Sequence, residues 1–175
     1  TNGIRSAATK GFFDWLHAQQ ADVVCIQETK AQLEQLTDPV FSPAGYHCFY
    51  NDAVKKGYSG TALYCKVKPQ RVITRLGWDP VDSEGRYTQA DFRGLSVISL
   101  YMPSGSSSEE ALQKKLRFME VFMEHMRALR RARREVIICA DWNICHQPID
   151  LKNWRANQKN SGFLPEDRAW LDQVY

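Results

Sequence analysis

The amino-acid sequence predicts an α/β fold, a layered sandwich with mixed, mainly antiparallel sheets. Two observations support this class. Several short apolar or alternating segments of strand length follow one another closely, which favours antiparallel pairing. A long amphipathic helical segment, together with shorter helical segments near both ends of the chain, can cover the outer faces of such sheets.

The first half of the chain is predicted to form a helix and then a series of strands. Residues 10–20 place Phe12, Phe13 and Leu16 on one side of a helix, and the β-branched run at 23–27 is typical of a buried strand. The dipeptide Arg93-Gly94 predicts a hairpin. Further strands are predicted at residues 46–50, 61–66, 71–76, 86–92 and 95–101.

The second half is predicted to begin with a long helix over residues 108–134. Its apolar residues recur every three or four positions, Ser107 or Ser108 can cap its first turn, and arginines collect at its last turn. The uninterrupted apolar run at 136–140 predicts a strand that is buried on both faces. Mostly loop is expected from residue 141 to 164, and then a helix to residue 174.

The composition is that of an ordinary globular protein. With 175 residues, of which 43% are hydrophobic and 25% charged, the chain is long enough for one domain with a sizeable core. No run approaches the ~18 apolar residues of a membrane span, and residues 1–5 lack the charged and then apolar layout of a signal peptide, so we expect no membrane association. Because the chain lacks an initiating methionine and its last helical segment runs to the end, we expect truncation at both ends.

Charge and cysteine content restrict the partner and the compartment only loosely. The net charge of +3 permits a polyanionic partner without requiring one. The five cysteines form no Cys-x-x-Cys pair, which favours a reducing compartment. We therefore expect a cytoplasmic protein.

Polar clusters directly follow three of the predicted strands, at residues 27–30, 101–105 and 141–143. Functional groups at the ends of rigid strands are what a preorganised site requires. Phosphodiester hydrolysis offers each cluster a role, because an attacking water must be deprotonated and charge on the phosphoryl oxygens must be stabilised, usually with the help of a metal.

Four side chains fit these roles. Mg²⁺ prefers one or two carboxylates and keeps several waters, so Glu28 fits as its main protein ligand. Asp141 fits as the base that orients and deprotonates water. The amide of Asn143 can donate a hydrogen bond to a phosphoryl oxygen, as can the hydroxyl of Tyr101.

Each of these residues also has a non-functional interpretation. A glutamate after a strand is often a surface or helix-starting residue, Asp-x-Asn is often an Asx-turn or helix cap, and a strand-end tyrosine can simply pack. The arginines between 127 and 134 are explained by the helix dipole as well as by DNA contacts, and His146 by a turn. Zinc-ligand spacing, a glycine-rich phosphate loop and a Gly-x-Ser-x-Gly elbow are all lacking.

Several motifs occur in the order seen in the exonuclease III family of abasic-site endonucleases. They are Asn2-Gly3-Ile4-Arg5, Ile26-Gln27-Glu28-Thr29-Lys30, Gly57-Tyr58-Ser59-Gly60, Glu84-Gly85-Arg86, Tyr101-Met102-Pro103-Ser104-Gly105 and Asp141-Trp142-Asn143. The stretch from Asp150 to Glu166 resembles the DNA-repair branch of the wider superfamily and not its lipid-cleaving branch. This resemblance implies a DNase I-like fold, an α/β/β/α sandwich.

The resemblance also implies an activity. It is hydrolysis of DNA 5′ to abasic sites, with 3′-to-5′ exonuclease and 3′-phosphodiesterase activity, dependent on Mg²⁺ or on Mn²⁺ as a substitute. The implied partner is double-stranded DNA with abasic sites or blocked 3′ ends, bound by a monomer that associates with the nucleoid.

By position, three sets of residues resemble functional residues of the family. Tyr101, Asp141 and Asn143 resemble catalytic residues. Glu28, Asn2, Asp141 and Asn143 resemble residues at or near the metal. Arg5, Tyr58, Asn153, Asn157 and Asn160 resemble DNA contacts, which position a duplex without reading its sequence.

Two departures from the family pattern stand out. Ala140 replaces the usual glycine, which adds a methyl group and disfavours a positive φ. The final portion of the family's chain, with a second aspartate and a Ser-Asp-His motif, has no counterpart, so we expect the 175 residues alone to be inactive. The competing hypotheses are a non-catalytic DNA-binding module and another phosphoesterase of the same superfamily.

Overall fold

The computed structural model describes all 175 residues, which divide into two compact units. Unit 1 comprises residues 1–101 and 132–141, and unit 2 comprises residues 102–131 and 142–175. The expectation of a single domain stays a prediction. No helix combines the length and the apolar character that crossing a membrane requires.

Unit 1 contains seven strands in two sheets. The first sheet has the order β1-β3-β2, with β1 (Val23–Gln27), β2 (His47–Asn51) and β3 (Thr61–Cys65). The second has the order β4-β5-β6-β7, with β4 (Arg71–Ile73), β5 (Tyr87–Phe92), β6 (Leu95–Tyr101) and β7 (Glu135–Asp141). Only the β6–β7 pair is parallel, so the predicted mixed, mainly antiparallel arrangement is confirmed, as is the hairpin between β5 and β6.

The two sheets of unit 1 pack face to face through polar as well as apolar side chains. The hydroxyl of Ser99 on β6 donates to the carbonyl of Ile26 on β1 at 2.9 Å. The hydroxyls of Thr61 on β3 and Thr88 on β5 are hydrogen-bonded at 2.8 Å. Buried polar groups of this kind fix one relative placement of two sheets, because an unmade hydrogen bond is costly in a core.

Two short helices cover the outer face of the first sheet, α1 (Ile4–Thr9) and α2 (Phe12–Gln19). Their buried residues Ile4, Phe13 and Leu16 join one hydrophobic cluster with Ile26 and Tyr64 of the sheet. Burial of each such side chain contributes about 1.5–3 kcal/mol. These helices therefore form the outer α layer of unit 1.

The helix predicted over residues 10–20 is confirmed as α2, and α1 precedes it as a second helix that was not predicted. The structure has two helices, because Gly11 adopts a left-handed conformation with φ of 80°. A glycine accepts this conformation without the strain that a Cβ would cause. The chain therefore turns between α1 and α2. Of the motif residues, Asn2 precedes α1 and Arg5 lies on it.

Strand β4 is shorter than the predicted strand at residues 71–76. The backbone amides of Leu76 and Gly77 bind the carboxylate of Asp82 at 2.7 and 2.9 Å, which draws the chain out of the sheet after Ile73. Asp82 belongs to a short helix, α3 (Asp79–Asp82), which was not predicted.

The prediction that the strand at 136–140 is buried on both faces is wrong. Exposure alternates along β7, and Ile137 on its open face is 50% exposed. The reason is that β7 lies at the edge of its sheet and pairs only with β6. An apolar run alone does not distinguish an edge strand from a central one.

Unit 2 consists of α4 (Glu109–Arg131), α5 (Trp154–Asn157), α6 (Pro165–Val174) and the loops between them. Ser108 caps α4 by accepting a hydrogen bond from the amide of Ala111 at 3.1 Å. Helix α4 buries Phe118, Met119 and Phe122, and the indole of Trp170 on α6 donates to the carbonyl of Met119 at 2.9 Å. The long helix and the final helix are therefore confirmed.

Unpredicted single turns of 3₁₀ helix complete the structure. They lie at Leu33–Gln35 and Pro39–Phe41 in unit 1 and at Pro148–Asp150 in unit 2. The last of these, together with α5, interrupts the segment that was expected to be mostly loop.

Candidate active site

Three strands of unit 1 end close together at one rim. Strands β6 and β7 are parallel and pair Tyr101 with Asp141, so their carboxyl ends coincide. The side-chain amide of Gln27, at the end of β1 in the facing sheet, donates to the hydroxyl of Ser99 and to the carbonyl of Cys139, both at 3.0 Å. This single side chain fixes the end of β1 against both other strands.

Tyr101 and Glu28 contact each other directly at this rim. The hydroxyl of Tyr101 donates to Glu28 Oε1 at 3.0 Å. Burial, and secondly the nearby Glu28 carboxylate, raise the pKa of Tyr101 to about 12. The phenol is therefore protonated at neutral pH and can act as a hydrogen-bond donor, as the predicted role requires.

Lys30 bridges two of the predicted metal ligands. Its Nζ lies 2.9 Å from Glu28 Oε1 and 2.6 Å from Asn2 Oδ1. Glu28 and Lys30 adopt φ values of 64° and 48°, in the left-handed region that side chains rarely occupy. Backbone strain of this kind concentrates at functional sites.

The residues around Lys30 fit a magnesium ion in part. The carboxylate of Glu28 and the amide oxygen of Asn2 are hard oxygen donors of the kind that Mg²⁺ prefers, and the Lys30 ammonium shows that a cation is attracted between them. No group of three or more His, Cys, Asp or Glu side chains could hold a metal. Waters and substrate oxygens would therefore complete the coordination, as is usual for Mg²⁺.

Arg86 is a site residue that the sequence analysis did not single out. It is 3% exposed and donates to Glu84 at 2.6 Å, to the hydroxyl of Tyr58 at 3.0 Å and to the carbonyl of Tyr101 at 3.1 Å. Its guanidinium also lies 4.7 Å from the centre of the Tyr101 ring. The motif that contains Arg86 was recognised, but only the fold shows that it orients Tyr58 and Tyr101. Arg5 is exposed on α1.

Asp141 is the last residue of β7, and its side chain is exposed at the rim. Burial and Glu28 are the larger causes of the raised pKa of Tyr101, Asp141 adds to them with its charge, and Arg86 acts in the opposite direction. Ala140 before it lies in regular strand, paired with Leu100, and has no positive φ. The strain expected from the methyl group of Ala140 is therefore absent.

Asn143 is held by two hydrogen bonds within unit 2. Its side-chain amide donates to the carbonyl of Met102 at 2.7 Å, and its own carbonyl accepts from Lys115 Nζ at 3.0 Å. Its φ is 48°, another strained left-handed conformation. The hydrogen bond to Met102, a residue distant in sequence, fixes the Asn143 side chain more firmly than a local turn alone would.

The three predicted DNA-contacting asparagines of unit 2 form one local cluster. Asn157 Nδ2 donates to the carbonyl of Asn153, and Asn160 Nδ2 donates to Asn157 Oδ1, both at 2.8 Å. A cleft of about 350 Å³ is lined by residues 152–157. Nearby, His146 is more than a turn residue, because its Nε2 lies 2.7 Å from Asp172 Oδ1.

Comparison with known proteins relates this arrangement to nucleases. The sequence pattern of the Endonuclease/Exonuclease/phosphatase family matches residues 2–175. The chain is 38% identical to an exodeoxyribonuclease of Bacillus subtilis over 168 residues, which cover 95% of the chain and 65% of that protein. It is 33% identical to the DNA repair nuclease APEX1 of Danio rerio over 175 residues, covering 99% of the chain and 56% of that protein.

A solved structure gives the same relationship. An AP endonuclease from Archaeoglobus fulgidus matches with a TM-score of 0.84 and 27% identity, over 99% of this chain and 66% of that one. The predicted resemblance to exonuclease III proteins and the predicted DNase I-like fold are confirmed by these matches. The chain spans between 56% and 66% of the length of these three proteins.

Proposed function

The chain belongs to the Endonuclease/Exonuclease/phosphatase family, and from that premise we propose that the whole protein is a DNA-repair phosphodiesterase of exonuclease III type. It hydrolyses duplex DNA 5′ to abasic sites and acts on 3′ ends as a 3′-to-5′ exonuclease and 3′-phosphodiesterase. The names of the similar Bacillus and Danio proteins support DNA as the substrate.

One observation carries the proposal. Glu28, Tyr101 and Asp141 lie at the ends of three different strands that meet at one rim, where the Tyr101 hydroxyl binds Glu28 and the backbone of Tyr101 pairs with Asp141. A rigid sheet rim that combines two carboxylates with a protonated phenol suits phosphodiester hydrolysis, because that reaction needs a base, hydrogen-bond donors and a cation.

Each residue has a distinct role in this proposal. The carboxylate of Asp141 orients the attacking water and takes its proton. The Tyr101 phenol and the Asn143 amide donate hydrogen bonds to phosphoryl oxygens. Arg86 keeps the Tyr101 ring in place, since it contacts both its face and its backbone.

Glu28 and Asn2, with Asp141 and Asn143 as further candidates, would hold Mg²⁺ or Mn²⁺. The metal supplies Lewis-acid stabilisation of charge on the phosphate. The donor set of Glu28 and Asn2 supports this assignment, because both oxygens already attract the ammonium of Lys30.

The partner in this proposal is a DNA duplex bound by one copy of the protein. The side chains of Arg5, Tyr58, Asn153, Asn157 and Asn160 contact its backbone. The free state of all five cysteines supports a reducing compartment, so we place the protein in the cytoplasm, bound to the nucleoid through DNA.

Incision of a labelled duplex with one abasic site, by the full-length protein with Mg²⁺, tests the proposal. We expect cleavage on the 5′ side that leaves a 3′-hydroxyl, and a loss of roughly 10²–10⁴-fold in kcat for Asp141→Asn, the range for removal of a general base. Asp14→Asn, which changes an exposed carboxylate on α2, is the matched control and should cleave normally.

Two results would overturn the proposal. Binding of the duplex without cleavage, unchanged in Asp141→Asn, would favour the non-catalytic DNA-binding module. Cleavage of inositol phosphates with no action on abasic DNA would favour another phosphoesterase of the family.

A further inference from the structure

Lys115 is a buried cation on a helix that otherwise buries apolar residues. Its side chain is 0% exposed, and it lies three residues before Phe118 on the inner face of α4. Lysine is almost never fully buried unless it is paired, because removing an ammonium from water is costly. The contacts of Lys115 must therefore compensate for the cost of burying its charge.

The Lys115 ammonium contacts three segments of unit 2. It forms an ion pair with Asp167 Oδ1 at 3.0 Å, lies 3.4 Å from the hydroxyl of Ser161, and donates to the backbone carbonyl of Asn143 at 3.0 Å. Asp167 is also 0% exposed, and its other oxygen accepts from the backbone amides of Gly162 and Leu164. The pair thus forms the centre of a buried polar network.

The same network also approaches the Asn143 backbone at Gly162. A Cβ at Gly162 would lie 2.9 Å from the Asn143 carbonyl oxygen, so only glycine allows this close approach. The amide of Cys145 donates to the carbonyl of Gly162 at 2.8 Å. The carbonyl of Asn143 therefore accepts from the Lys115 ammonium and packs closely against Gly162.

We infer that Lys115, anchored by Asp167, is a positioning residue that holds the strained Asn143 backbone and so aims its side-chain amide. The inference rests on the proposed function for the role of Asn143. An asparagine with φ of 48° relaxes unless surrounding contacts fix it, and the bond to its carbonyl supplies one such contact. Lys115 touches no substrate and acts only through Asn143.

The network also links two sequence motifs that lie far apart. Ser161 donates to the carbonyl of Ser104, and Asn143 donates to the carbonyl of Met102. The stretch from Asp150 to Glu166, which resembles the DNA-repair branch of the superfamily, thereby supports the backbone at Asn143 and does not serve DNA contact alone. Loss of the central ammonium should loosen this support without removing a catalytic group.

The test compares two variants of the full-length protein that differ only at Lys115. Asp167→Asn keeps an acceptor for the amides of Gly162 and Leu164 and keeps the amine that donates to Asn143. It leaves that amine without its charged partner, so both variants are also compared with the wild-type protein. The double variant K115M/D167N removes that amine and leaves no unpaired buried charge, which avoids the large penalty of a broken ion pair. If the double variant does not melt cooperatively, K115L/D167N, which likewise lacks a donor at this position, makes the same comparison.

Two readouts are measured on each variant. Relative to D167N, we expect the double variant to lose about 10- to 100-fold in kcat on abasic duplex, with KM changed less than about threefold, because a small misplacement of a catalytic group has this effect. We also expect faster hydrogen exchange of the Asn143 side-chain amide protons by NMR.

The two readouts separate the possible failures. Equal kcat and equal Asn143 amide exchange in D167N and the double variant would overturn the positioning role. Absence of cleavage by the wild-type protein would overturn the proposed function, while the exchange measurement would still decide whether Lys115 holds Asn143.

Discussion

Two cationic side chains, Lys30 and Arg86, contact the candidate site in unit 1, and they bind different groups there. Lys30 is partly exposed and bridges the oxygens of Glu28 and Asn2, the positions proposed for a metal. Arg86 is buried and binds the tyrosines behind them. We expect the first cation to compete with a metal ion, and the second to stabilise the folded site.

The change Lys30→Met should tighten metal binding. The Lys30–Glu28 pair is 33% and 25% exposed, so it contributes only about 0.2–1 kcal/mol, and its loss should lower the Kd for Mn²⁺ by a factor between about 1.4 and 5. Isothermal titration with Mn²⁺ measures this change without reference to activity. Lys66→Met, which removes a lysine bound to Gln20, should leave the Kd unchanged. Weaker binding in Lys30→Met would show that Lys30 organises the ligands instead.

The change Arg86→Lys should destabilise the protein while keeping its charge. A lysine cannot bind Glu84, Tyr58 and the Tyr101 carbonyl together, so we expect a loss of about 1–3 kcal/mol in the free energy of unfolding. Urea unfolding measures it. Arg75→Lys, at an exposed arginine that pairs with Asp79, should cost less than about 0.5 kcal/mol. Equal effects of the two changes would contradict the role assigned to Arg86.

Some residues of the candidate site can be predicted from the local sequence, and others cannot. Glu28, Tyr101 and Asp141 could be predicted because each is a polar residue directly after an apolar strand. Lys115 and Arg86 could not, since a cation in an amphipathic pattern has the same local signature as a solvated one. Only their tertiary partners show that both are buried.

At the scale of elements, the strong periodic patterns predicted α4, α6, β1 and β6 well. The failures lie where a tertiary contact overrides a local preference. Gly11 separates α2 from α1, which was not predicted, and Asp82 ends β4 early by binding two backbone amides. The position of a strand at a sheet edge is likewise a property of topology and not of its own residues.

His125 on α4 makes a pH-dependent contribution to the free energy of unfolding. Burial lowers the pKa of His125 from its ordinary value of 6.5, so the folded state binds a proton less readily than the unfolded state. The contribution is therefore complete above pH 6.5 and is lost as the pH falls below 6.5 towards the folded pKa.

We expect His125→Gln to abolish this part of the pH dependence. The difference in Tm between wild type and His125→Gln should be constant above pH 7 and should shift in favour of the variant between pH 6.5 and pH 5, because glutamine does not titrate there. Thermal melts in matched buffers measure this difference. Parallel curves over the whole range would contradict the assignment.

At the scale of the whole molecule, the open edge of the second sheet should govern association in solution. β7 exposes Ile137 to 50% on its open face and leaves one side of its backbone unpaired within the sheet. An exposed, apolar edge strand is a template for pairing with another chain.

We expect the 175-residue chain to self-associate as its concentration rises. The change Ile137→Lys should reduce this association, since a charge on an edge strand opposes pairing. Light scattering against concentration measures the effect. Val67→Lys, at an exposed apolar residue outside the strands, is the control, and an equal reduction in both variants would assign the effect to net charge instead of to the edge.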